Sequence, residues 1–361
     1  MIEPKKKIVV GMSGGVDSSV AAYLLQQQGW DVHGVFMKNW EDTNTNPTYR
    51  SQDINGCSWE QDFADVRAVC TLLDIPYSTF NFVEEYKEKV FGIFLDELNA
   101  GRTPNPDIIC NQEIKFYSFL KKAMSLPDVT AIATGHYAKI EHQQLMRPAD
   151  TSKDQTYFLY RMQKNDLPLV LFPLQNMQKK EVREIAKQLQ LPNADKKDST
   201  GICFIGDIDY NQFIAEHIPE NPGKICTKDG SIIGEHRGLH FFTLGQRKGV
   251  DIGGTGPYYV VRKEYETNRL IVTNDKDDSD LFQQSCEISA LHWIEDVQLP
   301  LNCQVQVRYH QHPQNAKIRY TSDNTINILF DVPQRSVTPG QSAVLYDNDV
   351  VLGGGVIVSA T

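Results

Sequence analysis

A glycine-rich loop and two cysteines are the residues of this chain whose types and spacing could carry out chemistry. The loop is SGGVDS, residues 13–18, which lies between an apolar run and a helical pattern. Cys110 ends the proline-stiffened stretch TPNPDIIC, and Cys203 lies in KKDSTGICFIGD, 93 positions further along. Glycines let a backbone close around an anion and serine hydroxyls donate to it. The pattern therefore predicts a phosphate site that works beside two thiols.

The loop differs from the commoner phosphate-binding motifs. It contains no lysine, so it is not the GxxxxGK[ST] loop, and GxGxxG is absent too. It resembles the pyrophosphate loop (PP-loop) of the ATP pyrophosphatases. That resemblance implies cleavage of ATP between its α and β phosphates and adenylation of a carbonyl oxygen. Asp17 could hold a magnesium ion against the phosphates.

The two cysteines differ from the other five in lying within constrained loops. Prolines hold the residues before Cys110 extended, so we expect Cys110 at or just before the start of a helix, where the dipole favours a thiolate. Asp107 could orient a substrate or accept a proton. One thiol that carries a persulfide, with a second that attacks it, would suit sulfur transfer. The remaining cysteines are predicted to be structural: Cys57, Cys70, Cys226, Cys286 and Cys303.

Composition indicates a soluble, cytoplasmic protein. The chain has 361 residues, of which 40% are hydrophobic and 23% charged, and no apolar run approaches the roughly 20 residues that span a bilayer. Seven scattered cysteines without a CxxC pair indicate neither a disulfide framework nor a zinc ribbon. We expect no metal site built from protein ligands alone, and Mg²⁺ to arrive with ATP.

Charge is spread unevenly along the chain. The formal net charge of −10 alone argues against nucleic acid, yet Lys153–Lys187 has seven bases against four acids and Lys224–Lys263 has seven against three. These two basic segments would suit a polyanion docking on one face. Ordinary solvated surface charge is the alternative, and GQRKG at 245–249 fits a phosphate grip or a plain turn about equally.

Strand and helix patterns alternate through residues 1–215, which predicts an α/β domain with a doubly wound parallel sheet (PP-loop ATP pyrophosphatase, Rossmann-like). After Pro219–Pro222 the segments become short and glycine-rich. We predict a small strand-rich central domain over 216–280 and a C-terminal β-barrel over 281–361.

Motifs along the whole chain resemble those of the bacterial tRNA-specific 2-thiouridylases, in the same order and approximate spacing. They are SGGVDSS, TPNPDIICNQEIKF, ATGHYA, KDQTYFLY, DSTGICFIG, TLGQRKG, VRYHQ and PGQ. The resemblance implies adenylation of the C2 carbonyl of a wobble uridine in tRNA, persulfide sulfur transfer to give 2-thiouridine, and release of AMP and pyrophosphate. It also implies an upstream partner, either a persulfide sulfur-carrier protein or a cysteine desulfurase.

The resemblance assigns roles to individual residues. The ATP site would comprise Gly11, Met12, Ser13, Gly14, Gly15, Val16, Asp17, Ser18, Met37 and Gly135. The target base would meet Asn105, Pro106 and Asp107, and the rest of the tRNA would meet His136, Lys153, Asp154, Gln155, Arg308, Tyr309 and Gln341. Cys203 would carry the persulfide, and Cys110 would be the partner nucleophile that forms a transient disulfide with it.

Two alternatives stay open from the residues alone. One is a different ATP pyrophosphatase, a ligase acting on a small metabolite, in which both cysteines are incidental. The other is an RNA-binding protein that uses ATP only as a conformational ligand. Formation of AMP on tRNA, on a free metabolite, or on neither separates the three hypotheses.

Overall fold

The structure, a computed structural model, describes residues 6–41, 58–198, 210–250, 252–253, 256–322 and 324–361. The chain divides into two compact units, which are described separately. The first comprises Met1–Gly92, Pro106–Asp209 and Asp349–Val351; the second comprises Ile93–Asn105, Tyr210–Asn348 and Leu352–Thr361. Cys57 lies outside the described residues.

The first unit is built on a parallel sheet in the order β3-β2-β1-β4-β7. The strands of this sheet are β1 Lys7–Met12, β2 Asp31–Lys38, β3 Tyr77–Asn81, β4 Val129–Thr134 and β7 Val170–Leu171. The strands β5 Lys139–Glu141 and β6 Gln144–Met146 form a short hairpin outside it. The apolar run KIVVGM makes β1 the buried central strand. The chain extends to one side of β1 through β2 and β3, then returns to its other side at β4.

Helices cover both faces of this sheet. Among the described residues, the α-helices of this unit are α1 Val16–Gln27, α2 Ser58–Leu73, α3 Val83–Tyr86, α5 Pro106–Cys110, α6 Leu120–Met124 and α7 Lys179–Gln188, whereas α4 Ile93–Asn99 and α8 Tyr210–His217 belong to the second unit. Alternate residues of β1, such as Ile8 and Val10, share a core with α1, α2 and α7. Gly11 faces the other way, toward Phe119. Two segments continue the helices with π geometry, Lys87–Gly92 and Asn111–Phe119.

The second unit contains a four-stranded sheet and a closed barrel. The sheet has the order β10-β11-β8-β9, with β8 Gly223–Thr227, β9 Ile232–His236, β10 Tyr259–Glu264 and β11 Arg269–Thr273. The barrel strands are β12 Phe282–Trp293, β13 Leu301–Gln306, β14 Gln314–Ser322, β15 Thr325–Arg335, β16 Ser342–Asp347 and β17 Val350–Ala360. Their order is β12-β15-β14-β13-β16-β17, and antiparallel pairing of β12 with β17 closes the barrel.

Alternation of side chains explains the barrel. In β15, Ile326, Ile328 and Phe330 point into a core that also contains Ile318 and Leu345, while intervening residues are more exposed. The predicted order of a parallel α/β region, a small strand-rich module and a C-terminal barrel is confirmed. The domain bounds at 215/216 and 280/281 stay a prediction. No helix in the described residues is both long and apolar enough to cross a membrane.

Candidate active site

The SGGVDS loop lies at the carboxyl end of β1, the point where strand order reverses. Its neighbours in the sheet, β2 and β4, lie on opposite sides of β1 and all three run parallel. A crevice forms at such a reversal, outside the carboxyl ends of the strands, and ligands of open α/β sheets bind there. Gly15 begins α1 in an extended conformation, and no side chain caps this helix. Its first N–H groups therefore suit an anion.

The serines of the loop hold its shape. Ser18 Oγ donates to the Gly15 carbonyl (3.1 Å) and accepts from the Ser13 amide (3.2 Å). Ser13 Oγ lies 3.2 Å from Ser18 Oγ and accepts from the Gly15 amide at 3.3 Å. The loop is thus closed by its own hydroxyls, which reduces the cost of ordering it around a phosphate.

Three glycines allow close backbone approaches around the loop. A Cβ on Gly135, which follows β4, would lie 2.6 Å from the Ser18 amide nitrogen. A Cβ on Gly14, whose φ is +77°, would lie 2.6 Å from the Asp62 carbonyl oxygen, and one on Gly11 would lie 3.1 Å from Met37 Cε. Met37 and Gly135, predicted from the resemblance to line the adenosine site, therefore flank the loop in the structure.

Asp17, the predicted magnesium ligand, forms an ion pair with Lys179. The Nζ of Lys179 lies 2.8 Å from each carboxylate oxygen of Asp17, and the Tyr137 hydroxyl donates to the same carboxylate at 3.1 Å. Burial first, and then the Asp17 charge, raise the pKa of Tyr137, so this hydroxyl stays protonated and donates. Sequence reasoning missed Lys179. Its position as the first residue of α7 supplies, from 162 residues away, the cation that SGGVDS lacks.

Asp198 gathers a second group of cations beside this pair. Its carboxylate contacts Lys179 Nζ at 2.7 Å, Lys153 Nζ at 2.8 Å and Arg183 Nη2 at 2.9 Å. Burial alone would raise the pKa of Asp198, but hydrogen bonds from Lys153 and Lys179 outweigh it and lower the pKa to about 2. The carboxylate is therefore ionised at neutral pH and holds three cations near Asp17.

The segment before Asp198 also holds the back of the loop. Asn193 Nδ2 donates to the Gly14 carbonyl (2.9 Å) and to Ser19 Oγ (3.0 Å). Lys196 Nζ lies 3.3 Å from the Gly14 carbonyl oxygen, 2.7 Å from Asp62 and 2.5 Å from Asp65. Residues 193–198 thus contact both sides of the phosphate loop, and the chain then enters residues 199–209.

Cys203 falls within those residues, outside the part of the chain that the structure describes. Its predicted meeting with Cys110 stays a prediction. The thiols predicted to be structural fit that role where they are described. Burial raises the pKa of Cys70 to about 11, and burial with a nearby carboxylate raises the pKa of Cys286 and of Cys303 to about 12. Cys226 is fully buried as well.

The expected position of Cys110 was wrong. The helix begins at Pro106, not near Cys110, because proline suits the first helical position, where its missing N–H is not needed. Cys110 has helical dihedrals (φ −61°, ψ −43°) and continues directly into the π segment Asn111–Phe119. Asp107 occupies the first turn instead, and the Cys110 side chain is fully buried. The argument from the helix start to a thiolate therefore fails.

The helix that contains Cys110, together with its continuation Asn111–Phe119, contacts residues next to β4 and the turn at residues 154–158. Lys115 Nζ lies 3.4 Å from His136 Nε2, and His136 Nδ1 lies 2.8 Å from Thr134 Oγ1. Asn111 Nδ2 donates to the Phe158 carbonyl at 3.2 Å. Burial and then the Lys115 charge lower the pKa of His136 well below its usual value, so its ring is neutral at pH 7.

Besides His136, three residues expected to meet tRNA make intramolecular contacts in the first unit: Lys153, Asp154 and Gln155. Lys153 binds Asp198, and Asp154 accepts from the Thr156 amide (2.9 Å) and hydroxyl (2.6 Å). Gln155 Oε1 accepts from the Tyr137 amide at 2.8 Å. These bonds fix the turn that follows Tyr137, next to the residue whose hydroxyl reaches Asp17.

Asn105, Arg308, Tyr309 and Gln341 belong to the second unit. There, the stretch that leads to Asn105 is held from two directions. Gln341 Nε2 donates to the Thr103 carbonyl (2.9 Å), whose own amide donates to the Pro339 carbonyl (3.0 Å). Lys263 Nζ (2.9 Å) and the Tyr265 hydroxyl (2.5 Å) donate to the Gly101 carbonyl. The boundary between the units falls between Asn105 and Pro106, within the motif.

No group of three or more His, Cys, Asp or Glu side chains in the described ranges could hold a metal ion. At the loop, Asp17 is the carboxylate that could contribute an oxygen. Mg²⁺ is commonly held by one or two carboxylates together with substrate phosphates, and this donor set fits that mode.

Three family models match consecutive parts of the chain. They are described as a tRNA methyl transferase HUP domain (residues 6–207), a tRNA methyl transferase PRC-barrel domain (211–274) and an aminomethyltransferase beta-barrel domain (283–357).

Curated relatives match the chain along nearly its whole length. A tRNA-specific 2-thiouridylase MnmA of Aeromonas salmonicida (strain A449) is 49% identical, over 97% of this chain and 96% of that protein. A tRNA-specific 2-thiouridylase MnmA 1 of Geobacillus kaustophilus (strain HTA426) is 48% identical, over 98% and 95%. A solved 4-thiouridine synthetase–RNA complex with bound ATP is 17% identical with a TM-score of 0.34, over 56% of this chain and 46% of that one.

Proposed function

Because the chain belongs to the family of tRNA-specific 2-thiouridylases, we propose that it replaces the C2 oxygen of the wobble uridine of tRNA with sulfur, using ATP. One observation supports this most. A closed phosphate loop, the Asp17–Lys179 pair and the Cys110 helix occur in the same unit, and Lys115 and His136 connect that helix to β4, the strand beside the loop.

The first step is adenylation. The C2 oxygen of uracil attacks the α phosphorus of ATP, the bond to the β phosphate breaks, and pyrophosphate leaves. O-adenylation requires the N3 proton to depart, and Asp107 would accept it. Lys179 and the N–H groups at the start of α1 would stabilise charge on the transferring phosphates. Mg²⁺, held by Asp17 and the phosphates, would neutralise the leaving pyrophosphate.

The second step is sulfur transfer. The terminal sulfur of a Cys203 persulfide, supplied by an upstream sulfur-carrier protein or cysteine desulfurase, attacks C2, and AMP leaves with the former carbonyl oxygen. Cys110 then attacks Cys203 Sγ, and its thiol proton passes to the 2-thiouridine that leaves. The persulfide S–S bond breaks, 2-thiouridine is released, and a Cys110–Cys203 disulfide forms. A dithiol reductant must restore both thiols before the next cycle.

Purified protein incubated with tRNA, ATP, Mg²⁺ and a persulfide donor tests this proposal. We expect 2-thiouridine in the nucleosides released from the tRNA, measured by mass spectrometry, and AMP in equal amount. A methylated nucleoside, which the descriptions of the family models suggest, would contradict thiolation. AMP formation on a free metabolite without tRNA would favour the ligase hypothesis, and tRNA binding without AMP would favour the RNA-binding hypothesis.

Cysteine variants test the division of labour. Cys110→Ser and Cys203→Ser should each abolish 2-thiouridine while leaving ATP binding intact. Cys303→Ser is the matched control, because this thiol is partly buried in the second unit and burial keeps it protonated. Retention of product by either of the first two variants would remove that cysteine from its role.

A further inference from the structure

The basic segment Lys224–Lys263 is mostly neutralised within the second unit. Four of its seven bases pair with carboxylates, Lys224 with Glu235, Lys228 with Asp278 and Asp280, Arg237 with Glu220, and Arg262 with Glu264. Lys263 is half-buried and donates to the carbonyls of Gly101 and Phe242. Burial lowers its pKa to about 8.

Arg247 and Lys248 are the two remaining bases of the segment Lys224–Lys263. Both are exposed, and neither forms an ion pair with any residue that the structure describes. They sit at the tip of a turn between Gly245 and Gly249, whose φ angles are +75° and +82°. We call this the RK turn, residues 245–249. Two adjacent uncompensated cations at one tip are unlike the paired bases of the same segment.

Hydrogen bonds of Gln246 and of the β10 backbone hold the RK turn in place. The Gln246 side chain accepts from the Thr243 amide (2.9 Å) and donates to the Lys248 carbonyl (2.8 Å). The Gly245 amide donates to the Val260 carbonyl (2.7 Å), and the Val260 amide donates to the Gln246 carbonyl (3.0 Å). The turn is thus fixed to β10, and the two cations are presented at little cost in backbone entropy.

The RK turn also adjoins residues of the barrel. Arg308 Nη2 donates to the carbonyl of Leu244, the residue before the turn, at 3.3 Å. Gly245 packs so closely on Ser336 that no side chain would fit there. Arg308, expected from the sequence to meet tRNA, therefore contacts the residue next to the RK turn within the second unit.

We propose that the RK turn is a contact for the RNA phosphate backbone, at which Arg247 and Lys248 each meet one phosphate. The inference rests on the proposed function and adds a binding element to it. Its chemistry favours RNA over an acidic protein surface, because the tip carries two cations and glycine but no apolar side chain to bury. Tyr309, which follows Arg308 in the sequence, has a ring of the kind that stacks on bases.

The double variant Arg247→Gln, Lys248→Gln tests the inference in the full-length protein. We expect tRNA to bind about tenfold more weakly near 0.15 M salt, and the slope of log Kd against log salt to fall by roughly 0.7 to 0.9 per phosphate lost. ATP affinity and the single-turnover rate at saturating tRNA should not change. Gln246→Ala, which keeps both charges and loosens the turn, should weaken binding less and leave the slope unchanged.

Lys317→Gln, Arg319→Gln is the matched control. These residues are one lysine and one arginine, exposed on β14 of the same unit. Unchanged tRNA binding by the RK-turn variant, or an equal loss in the control, would overturn the inference, the latter because net charge alone would then explain it. Failure of the wild-type protein to bind tRNA would instead reject the proposed function, and this inference with it.

Discussion

The two basic segments carry a similar excess of positive charge but use it differently. In Lys153–Lys187, three cations converge on Asp198, and one of them, Lys179, also binds Asp17 at the phosphate loop. In Lys224–Lys263, four cations are neutralised by separate partners, and two on one turn have no carboxylate partner among the described residues. The first arrangement suits a small, highly charged anion, and the second suits successive phosphates of a long one.

This difference shows why the net charge of a segment is weak evidence for a partner. What matters is which cations already have carboxylate partners, because a paired base releases little free energy when it meets a phosphate. Lys228 and Lys248 are equivalent in a count of charges. In the structure, Lys228 lies between Asp278 and Asp280, whereas Lys248 is exposed at a turn.

Among the charge variants, Lys179→Met should have the largest effect. It removes the cation beside the phosphate loop and leaves the Asp17 carboxylate to repel ATP. We expect kcat/KM for tRNA-dependent AMP formation to fall about 10²- to 10³-fold, the range for losing one preorganised charge at a reacting group. Radiolabelled ATP turnover measures it.

Lys180→Met is the control for this prediction. The Lys180 side chain, next in sequence to Lys179, is 87% exposed, and its Nζ lies 3.7 Å from Glu184. Activity should therefore stay within about twofold of wild type. A Lys179→Met enzyme with near wild-type kcat/KM would show that the first segment serves structure and not the anion, and the contrast between the segments would disappear.

Asp198→Asn should have a moderate effect on stability that depends on pH. The folded-state pKa of about 2 lies below the ordinary 3.8, so the carboxylate stabilises the fold above about pH 4, and this contribution is lost as pH falls toward 2. Because the side chain is 40% exposed, solvent screening limits the contribution to about 1 kcal/mol. Urea unfolding of wild type and variant at pH 7 and near pH 2.5 measures it.

For this variant, Asp195→Asn provides the comparison, since its carboxylate is 90% exposed and, among the described residues, pairs with Lys187 at 3.6 Å. It should change the free energy of unfolding little at either pH. A gap between wild type and Asp198→Asn that stays constant down to pH 2 would mean that the three cations do not depend on this charge.

The sequence predicted those features that depend on local patterns. Three such features are the apolar run of β1, the glycines and serines that follow it, and the alternation along β15. Because each depends on a short stretch of sequence, the phosphate loop, the buried parallel strand and the barrel strand were all predicted. The start of the Cys110 helix was missed although it is also local. Two prolines were taken to indicate an extended stretch, whereas Pro106 occupies the one helical position that tolerates it.

Long-range contacts could not be predicted. Nothing near Lys179 distinguishes it from Lys180, and its role appears only when folding brings α7 to a carboxylate 162 residues earlier. The same holds for Thr103, whose carbonyl is held by Gln341 across 238 residues. The difference between paired and uncompensated bases is likewise a property of the fold, since each partner of Lys228 lies at least 50 residues away.

The smallest effect is expected from Lys228→Gln, and it gives the sharpest test of the comparison. This substitution removes one positive charge from the same segment as the RK turn, but from a lysine already held by Asp278 at 2.8 Å and Asp280 at 2.9 Å. A pure charge count predicts that tRNA affinity falls as much as for Lys248→Gln.

The ion pairs of Lys228 predict a smaller loss. Asp278 and Asp280 would repel a phosphate that approaches Lys228, so this lysine contributes little to RNA binding in the wild-type protein. We therefore expect tRNA affinity within about twofold of wild type and an unchanged salt slope for Lys228→Gln. Titrations of both single variants at several salt concentrations measure the difference. If the two slopes fell equally, net charge rather than pairing would govern RNA binding by this segment.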